Sequence, residues 1–122
     1  VMITALAGMT CLMRGSVGEI MATADGESLM LALIDACERV ADAAGYPPRP
    51  RPREQYRALL TERGSDFSAS MRRDLEAGGR TEADAILGDM LRRARAFGIA
   101  APLLSAAFCH LEIHEQRRLR QA

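Results

Sequence analysis

Ser70 and Glu82 are the polar side chains best placed to do chemistry, because each stands beside a helix start in the stretch from Ser70 to Gly88. Gly78-Gly79 must break whatever precedes them, since paired glycines favour turns and helix ends. Thr81 is then expected to cap the next helix, its hydroxyl accepting from the Asp84 amide while Asp84 reaches back. That puts Glu82 in a first helical turn, where the macrodipole favours the carboxylate over the neutral acid. A carboxylate so placed can hold a cation. First-turn acids ordinarily do no more than stabilise their helix, and a serine ahead of an apolar helix is ordinary capping material. Nothing in the spacing brings Ser70 and Glu82 to one point.

Other residue types with chemical potential are weaker. His110 and His114 lie four apart on one helix, a metal-binding spacing, but Glu112 is misplaced for His-Glu-x-x-His and no third ligand is evident. They read as surface histidines near a helix C-terminus, and no metal site is expected. Cys11, Cys37 and Cys109 form no CxxC or other ligand pattern, and their odd number argues against a disulfide framework. Cys37, and Cys109 beside Phe108, read as small core residues. Pro47 to Arg53 alternates proline with arginine like a polyproline ligand, but in a compact domain it reads as a stiff connector. All sixteen basic residues are arginine. Any step needing a lysine must take it from elsewhere.

Six helical segments and almost no strand signal emerge along the chain. Val1 to about Met13 is apolar on nearly all sides, and Gly15 and Gly18 loosen the segment after it. Glu27 to Ala44 turns Met30, Leu33, Ile34, Cys37 and Val40 to one face. Tyr46 to Arg53, proline-rich, is expected to form no regular element. A helix from about Arg53 to Arg63 places Tyr56, Leu59 and Leu60 inward, and a shorter one runs from about Ser68 to Ala77. Thr81 to Phe97 is strongly periodic, Gly98 stops it, and Pro102 opens the last helix as a first-turn proline.

The composition suits a single all-α domain over residues 1–122. Apolar residues make up 48% and aromatics only 4%, with seven methionines, so the core is aliphatic. Net charge is zero, which gives no footprint for nucleic acid or an anionic membrane. The apolar opening lacks a basic leader and is too short to span a bilayer, so it is expected to be a core helix cut into by the start of the chain. A cytoplasmic protein, and a fragment of a longer one, is the expectation.

Ser-Met-x-x-Asp from Ser70, Thr81-Glu82-x-Asp84, Gly88 and Gly98-Ile99-Ala100-Ala101-Pro102 occur here in an order that resembles the C-terminal domain of 2-dehydropantoate 2-reductase (ketopantoate reductase). The likeness continues in Gly18-Glu19-Ile20 and in Glu38 to Gly45, and so runs from about Leu6 to Glu115. It implies a helical fold similar to that of 6-phosphogluconate dehydrogenase-like proteins. It also implies a reaction in which NADPH reduces a 2-oxo acid to the 2-hydroxy acid. In that family an N-terminal Rossmann domain binds the dinucleotide and the helical domain closes over the substrate. A lysine donates the proton, a glutamate supports it, and a serine helps hold the substrate carboxylate. By position the glutamate is Glu82 and the serine is Ser70, while the lysine falls two residues ahead of Val1.

Departures from the family pattern bear on the substrate. Ile3, Ala7 and Val17 stand where the family has asparagines. Ile and Ala cannot hydrogen-bond a substrate hydroxyl, so a different, more apolar 2-oxo acid is expected. No G-x-G-x-x-G follows a strand signal, and the expected partners are therefore a Rossmann domain of the same protein and a small 2-oxo acid. The competing reading is a non-catalytic helical interaction module. A homodimer formed by helix packing suits either.

Overall fold

A helix that is apolar on all sides can only be stable where other elements enclose it. The computed structural model, which describes residues 1–121, places the opening segment in that position. Helix α1 (Met2–Met13) is buried without a break from Thr4 to Cys11. Around it lie α2 (Val17–Met21), α3 (Gly26–Ala43), α4 (Pro50–Leu60), α5 (Ser70–Glu76), a π-helical turn (Asp84–Gly88) continuing into α6 (Asp89–Ala96), and α7 (Pro102–Gln121). The described residues contain no strand, and seven helices replace the six expected. α2, α3, α4, α5, the π turn and α7 all pack directly on α1. The one polar side chain deep in the centre, Thr10, donates its hydroxyl to the Leu6 carbonyl at 2.7 Å, so no buried polar atom is orphaned there. Gly8 keeps the centre tight: a Cβ there would lie 3.1 Å from Leu33 Cδ2 and within 4 Å of Ala107 and Leu87.

The added helix is α2. Ser16 caps it by accepting from the Glu19 amide, and Glu19 returns the bond to the Ser16 amide at 2.9 Å, a complete capping box. Gly15 and Gly18 had suggested a loosened segment; the Ser-x-x-Glu signal of Ser16 and Glu19 decides otherwise. The first two amides of α2 are taken up by the loop ahead of α5, Val17 donating to the Phe67 carbonyl at 2.9 Å and Gly18 to that of Ser65 at 2.7 Å.

α4 starts at Pro50, earlier than expected, because Pro50 and Pro52 sit in a first turn, where the missing N–H groups have no helical partner to lose. Only residues 46–49 are irregular. Tyr56 and Leu60 point inward as expected, whereas Leu59 is 42% exposed. The register of α4 is set by Glu38 of α3. Its carboxylate accepts from the Tyr56 hydroxyl, from Arg53 Nε at 2.8 Å and from Arg57 Nη1 at 3.0 Å.

Candidate active site

The candidate chemistry lies on the connection from α5 to the π turn. α5 ends on Gly78 at φ +74°, its amide returning to the Leu75 carbonyl at 3.1 Å, and the Gly79 amide bonds the Asp74 carbonyl at 2.9 Å. From there the chain is caught by α7. His114 Nε2 lies 2.7 Å from the Gly79 carbonyl oxygen. The Thr81 amide and hydroxyl both donate to Glu115 Oε1, at 2.8 and 3.0 Å. Arg118 holds the other carboxylate oxygen of Glu115 through Nε at 3.0 Å and Nη2 at 2.9 Å. Burial works against charge on Glu115, but the bonds from the Thr81 amide, Arg118 and the Thr81 hydroxyl outweigh it and hold its pKa below the usual carboxylate range.

Thr81 is therefore not the cap of the following helix. Its side chain is buried and turned to Glu115, and Asp84 is tied forward instead of back. Asp84 Oδ1 accepts from Arg92 Nη1 at 2.9 Å, and Arg92 Nη2 donates to the Asp84 carbonyl at 3.2 Å. Gly88 leaves room for this pair, since a Cβ there would come within 2.7 Å of Asp84 Oδ1 and 3.0 Å of Phe108 Cζ. Glu82, between these two sets of ties, opens the helical run by giving its carbonyl to the Ile86 amide at 3.1 Å. Its side chain is exposed and has no hydrogen bond or ion pair among the described residues. The carboxylate is free to take a cation.

Ser70 is the first residue of α5, exposed, and not its cap: Ala69 holds that place without a side-chain bond. Arg72 secures this end of α5 by donating to the Arg14 carbonyl at 3.4 Å, Ser68 Oγ at 3.3 Å and Glu76 Oε1 at 3.0 Å. No hydrogen bond joins Ser70 to Glu82; α5, which Ser70 opens, and the π turn, which Glu82 precedes, share a seat on α1. Of the three positions where asparagines were expected, only Ile3 has surface to offer, at 66% exposure. Ala7 and Val17 are sealed in the core.

Burial pushes the thiols of Cys11 and Cys37 up to about 12 and about 11, leaving neither as a thiolate near neutrality. Cys109 is exposed, contrary to its expected place in the core. The two histidines are half-buried instead of lying freely on the surface. His110 Nε2 is buried with no partner among the described residues, and burial, Arg14 and His114 together lower its pKa. No group of three His, Cys, Asp or Glu side chains suited to a metal ion occurs among the described residues. No described helix is long and apolar enough to cross a membrane. A cavity of about 480 Å³ opens between the end of α1, α2 and the start of α3, lined by Met13, Arg14, Glu19, Ile20 and Leu29 among others; neither Ser70 nor Glu82 borders it.

Spacing could not reveal the roles of His114 and Glu115, because their partners lie 35 and 34 residues away. Ser16 and Glu19 did carry a local signal.

Comparison with known proteins agrees with the all-helical fold. The family model described as ketopantoate reductase PanE/ApbA C terminal matches residues 1–115. The uncharacterized oxidoreductase YkpB of Bacillus subtilis (strain 168) is 31% identical over 116 residues, 95% of this chain and 38% of that protein. The crystal structure of a PanE/ApbA family ketopantoate reductase from Ralstonia eutropha JMP134 matches with a TM-score of 0.83 at 22% identity, covering 97% of this chain and 39% of that one. D-mandelate dehydrogenase, in a ternary structure with NADH and anilino(oxo)acetate, gives 0.76 at 17% identity, with 96% and 39% covered. These two structural likenesses are of fold, and the chain spans about two-fifths of the length of the relatives it matches. With the match running from Val1 to Glu115, the chain belongs to the ketopantoate reductase PanE/ApbA C-terminal family.

Proposed function

We propose that this chain is the substrate-closing helical domain of a nicotinamide-dependent oxidoreductase that reduces a 2-oxo acid to the 2-hydroxy acid. The observation that carries the reading is the Glu82 carboxylate, exposed and unpaired among the described residues, at the head of a helical run braced on both sides. Hydride addition to a ketone places negative charge on oxygen, and a positioned cationic acid stabilises that charge as it forms. Glu82 keeps such an acid, the lysine that the family places ahead of Val1, charged and aimed at the carbonyl oxygen. Ser70 donates to the substrate carboxylate from the start of α5. Ile3 gives the substrate pocket an apolar wall and favours a more apolar 2-oxo acid over 2-dehydropantoate.

The reduced nicotinamide, when bound, supplies the hydride. The described residues contain no strand followed by a glycine-rich turn to cradle a pyrophosphate, so this reading assigns the dinucleotide to a Rossmann domain outside the chain. The half-buried Val1 and Met2 and the exposed Ile3 are the apolar residues we place toward that domain. NADPH is the expected dinucleotide.

The test is a panel of 2-oxo acids, including 2-dehydropantoate, assayed with the full-length protein and with either NADPH or NADH. Turnover is expected, with apolar substrates preferred, and Glu82→Gln is expected to lower kcat by about 10²- to 10³-fold, within the range for groups that assist proton transfer. No turnover with any member would leave a helical interaction module. Efficient reduction of 2-dehydropantoate would remove the substrate assignment.

A further inference from the structure

Glu82 is held by nothing of its own. Its side chain has no partner among the described residues, so its position is inherited from the backbone on either side. On the far side the π turn is closed by the Arg92–Asp84 pair over Gly88. On the near side the connection begins Gly78-Gly79, the most freely rotating dipeptide the chain can offer, and ordering it costs conformational entropy. Between Gly79 and Glu82 the side-chain ties among the described residues come from one turn of α7. His114 meets the Gly79 carbonyl, and Glu115 Oε1 takes both donors of Thr81, the residue immediately before Glu82.

As the partner of Arg118 alone, Glu115 would matter little. That pair is three residues apart on one helix and partly exposed, an arrangement worth only a few tenths of a kcal/mol. The Thr81 contacts are of another kind. They span 34 residues, they satisfy a buried amide and a buried hydroxyl, and they fix the peptide that leads into Glu82. Arg118 then serves to hold the Glu115 carboxylate in its orientation.

We propose that Glu115 is a positioning residue for Glu82, acting through the Thr81 amide and hydroxyl. The proposal rests on the reading that Glu82 supports the catalytic acid. Reach, and not charge, is the property Glu115 must supply. A glutamine keeps an oxygen at the same distance for Thr81, whereas an aspartate keeps the charge and withdraws the oxygen by a methylene. Because misplacing a catalytic group by about 1 Å can cost roughly 10²-fold, loss of this hook should appear in kcat and only weakly in KM.

The experiment is a set of variants in the full-length reductase: Glu115→Gln, Glu115→Asp, Glu115→Ala, Glu82→Gln, and Glu115→Ala combined with Glu82→Gln. We expect Glu115→Ala and Glu115→Asp to lower kcat by about 10- to 100-fold with KM within about 3-fold, and Glu115→Gln to keep most of the activity. In the Glu82→Gln background, Glu115→Ala should add less than about a 2-fold loss, since a positioning residue has nothing left to position. An equal loss from Glu115→Ala in both backgrounds, or full activity in Glu115→Asp, would overturn the proposal. Should Glu115→Ala fail to fold, the comparison of Glu115→Gln with Glu115→Asp decides it alone. A fully active Glu82→Gln enzyme would instead overturn the underlying reading of Glu82, whatever the Glu115 variants do.

Discussion

At the scale of single residues, Ile3 separates this chain from the family pattern more sharply than Ala7 or Val17, which the core encloses. Replacing it with asparagine should restore a donor and acceptor at the one exposed position of the three. If the proposed substrate site is right, Ile3→Asn raises kcat/KM for 2-dehydropantoate by about 10-fold, the worth of one hydrogen bond to a substrate hydroxyl, and lowers that for apolar 2-oxo acids. Steady-state kinetics on both substrates check it; an unchanged ratio would show that Ile3 lies outside the substrate's reach. Ser70 and Glu82 could be singled out from the sequence because their neighbours form an ordered motif. Glu115 could not, since a carboxylate between His114 and Gln116 looks like any other on a polar helix face.

Whole elements were legible wherever periodicity and punctuation agreed. α3, α7 and the end of α6 lie close to their expected places because apolar spacing, Gly98 and Pro102 all point the same way. The misplaced element starts share one cause: a local residue was read for its usual effect when its neighbours had changed it. Pro50 and Pro52 begin α4 instead of preventing it, and Gly18 lies inside α2 instead of loosening the segment after α1. Gly18 is there because a backbone passes against it. A Cβ at this position would lie 2.4 Å from the Ser65 carbonyl oxygen and 2.6 Å from the Ser65 nitrogen, and backbone cannot step aside as a side-chain tip can. Gly18→Ala should therefore destabilise the fold by about 1–3 kcal/mol through overpacking, seen as a lower midpoint in urea. A midpoint equal to the parent's would mean that the loop from Gly64 to Phe67 yields easily.

For the molecule as a whole, pH should act in two stages. His110 has its folded pKa lowered by burial, Arg14 and His114, so protonation favours the unfolded chain. Its contribution is complete above the unfolded value of about 6.5 and is lost as pH falls toward the folded value. Glu115, with its folded pKa also depressed, adds a second loss only as pH falls below about 4.3, the ordinary carboxylate value. Thermal melting from pH 8 to pH 3 should show both declines. His110→Leu should flatten the first and leave the second, because it removes both the titration and the unpartnered Nε2.

The enclosure of α1 has a further consequence for how the molecule breathes. With other elements packed around it and Thr4 to Cys11 buried, its interior amides can meet solvent only when the surrounding elements open together. In hydrogen–deuterium exchange they should be the last to label, while the amides at the ends of α4 label early. The exposed Ile3, where we place the substrate, lies at the border of that block and outside the buried run that opens only with the domain as a whole, so the site could breathe while the core beside it stays closed.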